Sequence, residues 1–114
     1  MSRLIAILPC NDVDASLRFY ERLGFHCVSD YGNYKLLADG QGAELHLNQV
    51  AEGWVIPGRS PFGLYLYADN VDELAAQMGE GVLHRPENKP WGMYEFAMSD
   101  PDEHLVRVGR LLRP

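Results

Sequence analysis

Glu44 and His46 stand two residues apart in the run Glu44-Leu45-His46-Leu47. Residues two apart on a strand share a face, so a carboxylate and an imidazole would project side by side. Such a pair can contact a ligand, move a proton, contribute to a metal site, or hydrogen-bond to itself in a wet concavity. Arg107 has a similar setting in Val106-Arg107-Val108, and two tyrosines alternate with leucines in Leu64-Tyr65-Leu66-Tyr67. Trp91 falls between Pro90 and Gly92, a loop context, with Glu95 four residues on. An indole there either plugs a core or offers a flat face to a planar ligand. Nucleophilic chemistry has less support. Cys10 and Cys27 have no histidine or basic residue placed by local spacing, and isolated cysteines are usually buried and inert. Ser16, Ser29, Ser60 and Ser99 lie in no nucleophile-elbow context. Asp39-Gly40-Gln41-Gly42 reads as a hairpin turn rather than a phosphate loop. His26, His84 and His104 read as exposed or turn residues.

The elements that must position these side chains are legible in the periodicity. A strand is predicted over Arg3 to Pro9, and Asn11 or Asp12 then caps a helix. Val13, Leu17, Tyr20 and Leu23 form its apolar stripe, and Gly24 stops it. Strands follow over Phe25–Ser29, Tyr34–Ala38 and Ala43–Asn48. A Gly/Pro-rich linker leads from about Val50 to Pro61. The order then repeats: a strand from Phe62 to Ala68, and a helix with Asn70 as cap and Glu73 completing a capping box. Three more strands follow, over Val82–His84, Met93–Met98 and Leu105–Gly109. Asn11-Asp12-Val13-Asp14 recurs as Asp69-Asn70-Val71-Asp72, 58 residues on. The chain therefore reads as one α+β domain, 1–114, made of two β-α-β-β-β modules, about 1–50 and 61–114, joined by a linker of about 51–60.

Paired modules predict a cupped eight-stranded mixed sheet with the helices on its convex face. Parity sends Leu4, Ala6, Leu8, Leu45, Leu47, Leu64, Leu66, Val106 and Val108 toward the helices. It sends Ile5, Ile7, Glu44, His46, Asn48, Gly63, Tyr65, Tyr67, Leu105, Arg107 and Gly109 into the cup. That mixture of apolar, aromatic and polar groups suits a small-molecule site. Arg107 is expected to pair with Glu44 across it, because a charge in a concavity needs a partner.

Composition narrows the function classes. With 114 residues, 46% hydrophobic and 23% charged, the chain is neither a disordered tail nor too short for a core. It has no apolar run near the roughly 20 residues of a membrane span, and Leu4 to Leu8 is too brief for a signal peptide. Two cysteines make no disulfide framework, so reduced thiols and a cytoplasmic location are expected. A net charge of −6 disfavours nucleic acid and favours a cationic ligand.

Three stretches carry a family resemblance. They are Leu8-Pro9-Cys10-Asn11-Asp12, Glu44-Leu45-His46-Leu47, and Pro90-Trp91-Gly92-Met93-Tyr94-Glu95-Phe96 running on to Val106-Arg107-Val108. With the paired modules, the helix ending Phe19-Tyr20-Glu21-Arg22-Leu23-Gly24-Phe25 and the Asp100-Pro101-Asp102 turn, the chain resembles the vicinal oxygen chelate superfamily. Within it, the resemblance is to the bleomycin resistance branch. Enzymes of the superfamily hold one divalent metal at four equivalent positions. By resemblance these fall on Ile5, His46, Gly63 and Arg107. Only His46 could coordinate, whereas a catalytic metal normally has about three protein ligands. No cofactor and no catalytic residue are therefore expected. The resemblance implies an aromatic stacking role for Trp91, with Tyr31 or Tyr34 near the region of a second platform.

The expected function is binding and sequestration, without chemical change, of a small cationic, partly aromatic antibiotic. Trp91, His46, Glu44, Tyr65, Tyr67, Arg107, Glu95 and Tyr31 are the expected ligand contacts. The resemblance also implies a homodimer, and one open-sided cup makes pairing physically sensible. The alternatives are a metal-dependent enzyme of the superfamily (lyase, thiol transferase or dioxygenase) and a binder of a non-antibiotic small molecule.

Overall fold

Asp12 opens the first helix by accepting hydrogen bonds from the backbone N–H groups of Asp14 and Ala15, both at 3.1 Å. That satisfies two donors that a helix start leaves without partners. The computed structural model describes residues 1–113. Its elements are β1 (Ala6–Cys10), α1 (Val13–Arg22), β2 (His26–Asp30), β3 (Tyr34–Ala38) and β4 (Glu44–Gln49). After a loop come β5 (Gly63–Tyr67), α2 (Val71–Met78), a 3₁₀ turn (Gly79–Gly81), β6 (Val82–Lys89), β7 (Met93–Ser99) and β8 (Leu105–Leu111). Gly24, at φ 100°, turns the chain out of α1 in a conformation that favours glycine.

The duplication is visible in the ladders. The strand orders are β1-β4-β3-β2 and β5-β8-β7-β6, the same order in each repeat. The register repeats as well: Ile7 lies beside His46 in the parallel β1–β4 pair, and Tyr65 beside Arg107 in the parallel β5–β8 pair. The fold is α+β with two mixed sheets. The single eight-stranded cup expected from the sequence is not closed by backbone hydrogen bonds within one chain. The strands that would have to join, β1 and β5, are both edge strands.

The largest boundary shifts are in β1 and β6, and β8 runs on to Leu111. β1 begins at Ala6 rather than Arg3, because its ladder with β4 starts at the Ala6–Leu45 pair and the β3–β4 turn lies beyond. Leu4, assigned to the helix side, is consequently exposed. β6 continues to Lys89 through two register irregularities against β7. Asn70 caps α2 in position only, since its side chain makes no cap hydrogen bond and the capping box does not form.

The inner faces follow the predicted parity. Leu8, Leu45, Leu47, Val106 and Val108 are buried in one apolar cluster with Tyr20, Phe25, Phe96 and Met98. That cluster draws on both repeats. Burial on this scale is the main source of stability, roughly 1.5–3 kcal/mol for each large apolar side chain removed from water.

A polar latch reinforces one junction between the repeats. The β7–β8 turn carries Asp100, Asp102 and His104, all buried. Asp100 accepts from the backbone N–H groups of Asp102 and His104 at 2.9 Å and from the Tyr20 hydroxyl at 2.8 Å. Asp102 accepts from the Asn11 backbone at 3.0 Å. His104 bonds the Pro9 carbonyl at 2.8 Å through Nε2 and the Ser60 hydroxyl through Nδ1. His104 thus lies in a turn, as one of its expected readings had it, but it is buried rather than exposed. Its Nε2 must donate, because a carbonyl oxygen only accepts. Burial raises the Asp100 carboxyl above the ordinary carboxylate range, although the hydrogen bonds oppose this. The Tyr20 phenol is pushed well up by burial and by Asp100.

The equivalent junction is open. Asp39 makes the same turn, accepting from Gln41 and Ala43 at 2.8 and 2.9 Å. Between this turn and the start of α2 lies a groove of about 900 Å³, bordered by Gly24, Gln41, Leu66, Tyr67 and Leu74.

Candidate functional site

The second sheet gathers three of the predicted residues, Tyr65, Trp91 and Arg107, around the carboxylate of a fourth, Glu95. Glu95 on β7 is fully buried. A single oxygen, Oε1, accepts from the Trp91 indole N–H at 2.8 Å and from the Tyr65 hydroxyl at 2.9 Å. Its other oxygen, Oε2, has no hydrogen-bond partner and lies 3.9 Å from Nη1 of Arg107. Parity explains the meeting. Tyr65 and Arg107 are register partners on β5 and β8, and Glu95 pairs with Gly109 one step further along β8. The β6–β7 turn brings Trp91 back over Glu95.

Gly109 makes the convergence possible. A Cβ there would overlap the Tyr65 hydroxyl and approach Glu95 Cβ to 2.8 Å and the Tyr94 carbonyl oxygen to 3.1 Å. Glycine inside a strand is a sign of such close approach. Tyr65 in turn packs on Tyr67, with ring centroids 4.9 Å apart. The Tyr65 phenol is raised by burial and by its bond to Glu95.

Trp91 stays 55% exposed although its N–H is held from below. Lys89 Nζ and Arg107 Cζ lie 5.6 and 5.8 Å from its ring centroid, within cation–π range. Lys89 is itself neutralised by Glu87 at 2.5 Å. Charge at the indole is therefore balanced locally, and the chain's acidity is not concentrated there. Glu95 is internal and hydrogen-bonded to Tyr65 and Trp91.

The first sheet holds a separate group. His46 Nδ1 bonds the Tyr34 hydroxyl at 2.8 Å, with the two rings edge to face at 5.3 Å. Glu44 pairs with Arg3, at 2.6 Å from Nε and 2.8 Å from Nη2. The expected Glu44–Arg107 pair is not made, because each has a nearer opposite charge in its own repeat. Tyr31 is exposed in the β2–β3 turn, where its backbone N–H donates to the Tyr34 carbonyl at 2.9 Å. Among the described residues, no hydrogen bond or ion pair links the His46 group to the Trp91 group.

These positions do not fit a chelated metal. Ile5 and Gly63 bring no donor atom, and Arg107 brings a cation. His46, the remaining donor, shares its Nδ1 with Tyr34. Asp100, Asp102 and His104 place donor atoms within 4.8 Å of one another. Those atoms already serve the latch between the repeats.

Nor does Cys10 offer a nucleophile. Burial pushes its thiol up to about 11, with neighbouring Asp102 and Asp100 acting in the same direction and Ser16 opposing. In native protein a disulfide reagent should label Cys27, which is half-buried, well before Cys10, and both should react once urea unfolds the chain. Equal labelling rates in the folded state would contradict that burial.

Arg3 and Gly109 have roles that sequence reasoning did not assign, and Tyr34, named there with Tyr31 near a second platform, bonds His46. The signal for Gly109 was present, since it interrupts a strand whose neighbours are apolar or charged. Arg3 carried none, because its pairing with Glu44 spans 41 residues.

A family described as a glyoxalase-like domain matches residues 4–113. A bleomycin resistance protein of Klebsiella pneumoniae is 32% identical over 111 residues, which cover 89% of this chain and 86% of that protein. A bleomycin-binding protein solved in complex with bleomycin superposes with a TM-score of 0.81 at 28% identity, covering 96% of this chain and 98% of that one. A bleomycin resistance determinant encoded on the transposon Tn5 superposes at 0.82, also at 28% identity, over 97% and 98%.

Proposed function

Because the chain belongs to the glyoxalase-like domain family, in the vicinal oxygen chelate superfamily, we propose that it is a binding member that sequesters a bleomycin-like antibiotic unchanged. The observation that carries this reading is Trp91, a half-exposed indole whose N–H is fixed by a buried carboxylate. A ring held from its edge is fixed in place while more than half of its surface stays exposed to a planar group. Ordering it before the ligand arrives lowers the entropy lost on binding. The names of the relatives support the antibiotic class, and the non-ligating side chains of Ile5, Gly63 and Arg107 support binding without reaction. Tyr65 and Tyr67 extend the contact surface, while His46 and Glu44 supply polar contacts from the other sheet. A cationic ligand remains favoured by the net charge of −6, acting as a long-range field rather than through Glu95.

The binding form is a homodimer. Ile7, Tyr65, Tyr67, Leu105 and Leu111 are exposed on the outer sheet faces, and β1 and β5 each have a free edge. A second copy covers such surfaces and brings a His46 group to a Trp91 group. No helix among the described residues is long and apolar enough to cross a membrane. The two free cysteines support a cytoplasmic location.

Calorimetric titration with bleomycin tests the function. Saturable binding is expected, with the drug recovered chemically intact by mass spectrometry. Bleomycin at 100 times its Kd should raise the unfolding free energy by about 2.7 kcal/mol. Light scattering should give a mass of two chains. No saturable binding, or a chemically altered drug, would defeat the proposal.

A further inference from the structure

We infer that Glu95 is a positioning residue whose Oε1 sets the orientation of the Trp91 indole, and that Gly109 reserves the space this requires. The geometry stands without the binding reading, but its consequence for ligand affinity rests on it. Three observations converge. Glu95 is fully buried, a costly place for a carboxylate unless its bonds are met. Both donors, the Trp91 N–H and the Tyr65 hydroxyl, converge on the same oxygen. Arg107 stands 3.9 Å from the other oxygen, which has no hydrogen-bond partner.

An exposed tryptophan in a turn would ordinarily sample several rotamers. Here its edge is tied to a fully buried carboxylate that the Tyr65 hydroxyl also holds, over Gly109 on the neighbouring strand. The arrangement resolves into a rigid interior acceptor and a half-exposed ring. Gly109 admits the Tyr65 hydroxyl and the Glu95 stem at one point on β8. Any side chain there would force one of them away.

The use of one oxygen separates the hydrogen bonds from the charge. In Glu95→Gln the amide oxygen can keep both bonds, while the amide nitrogen takes the unpartnered position. In Glu95→Ala both bonds are lost. The experiment uses the full chain with Trp54→Phe, so that Trp91 is the one emitter. It measures acrylamide quenching and hydrogen exchange of the indole N–H without ligand, and then bleomycin affinity.

Glu95→Ala should increase the quenching constant and abolish slow exchange of the indole N–H, whereas Glu95→Gln should restore both. Bleomycin affinity should fall about two- to tenfold in the alanine variant, the cost of ordering one freed side chain on binding, and recover in the glutamine variant. If the alanine variant fails to fold, Gly109→Ala gives the same reading, because it displaces the Tyr65–Glu95 contact and should free the indole. An indole equally protected in the alanine variant, or in Gly109→Ala where the former does not fold, overturns the inference. So does a glutamine variant no more protected than the alanine one. Absence of bleomycin binding in the parent would refute the functional proposal and leave the indole measurements to decide the role of Glu95.

Discussion

Asp100→Ala is expected to lower the unfolding free energy by at least about 3 kcal/mol, and Asp100→Asn by about 1 kcal/mol or less. The carboxylate is buried and accepts three hydrogen bonds, from the Asp102 and His104 backbone and from the Tyr20 hydroxyl. Alanine leaves those donors without acceptors, at roughly 1–3 kcal/mol for each group that stays dry. Asparagine keeps the oxygen that serves the two backbone groups, and its amide can donate to the Tyr20 oxygen. Burial raises the Asp100 carboxyl in the folded state, so the folded chain binds this proton more tightly than the unfolded chain. Its charge therefore opposes stability, and the opposition grows as pH rises from the ordinary carboxylate value through the raised one. The stability difference between parent and D100N should shift in the parent's favour as pH falls through that window. Urea unfolding over a pH series measures both the alanine loss and the sign. A parent that gains relative to D100N on going to higher pH would contradict the assignment.

The other large effect concerns ligand affinity. Trp91→Ala should weaken bleomycin binding by roughly 1–3 kcal/mol, the scale of stacking a planar ring on an aromatic side chain. Unfolding stability should fall less than for a core residue, because the ring is 55% exposed and the loss is that of the indole N–H bond to buried Glu95. A ring that plugged the core would instead cost about 3–5 kcal/mol of folding energy on truncation. Paired titration and denaturation distinguish the outcomes. Lost stability with unchanged affinity would remove Trp91 from the site.

What was legible in the sequence was what depends on local period. The inward positions Leu45, Leu47, Val106 and Val108 follow from alternation, and the Asp12 cap follows from residue type. The order of elements repeats because each module folds by the same local rules. Relations across long separations were not legible. Glu44 meets Arg3 rather than Arg107, a choice made by which strand ends lie together. Tyr20 was assigned to the apolar stripe of α1, which is correct for its ring. Its hydroxyl reaches Asp100, 80 residues away. The burial of Glu95 was not legible either, since its donors Tyr65 and Trp91 meet it only in the folded sheet. The burial of His104 was hidden for the same reason, since its partners Pro9 and Ser60 come from distant segments.

The unequal junctions leave the two halves unequally free to drift. A change at Asp100, Asp102 or His104 disturbs partners at Tyr20, Asn11 or Pro9. Substitutions on that side must arrive together or be lost. Among the described residues, the matching turn at Asp39 bonds within its own backbone and faces an open groove. New side chains and short insertions have room there. The repeat thus has one junction under mutual constraint and one open to variation, with Tyr67 bordering the second. Sequence novelty should accumulate around Gln41 and the start of α2, beside the tyrosine pair and without disturbing the latch.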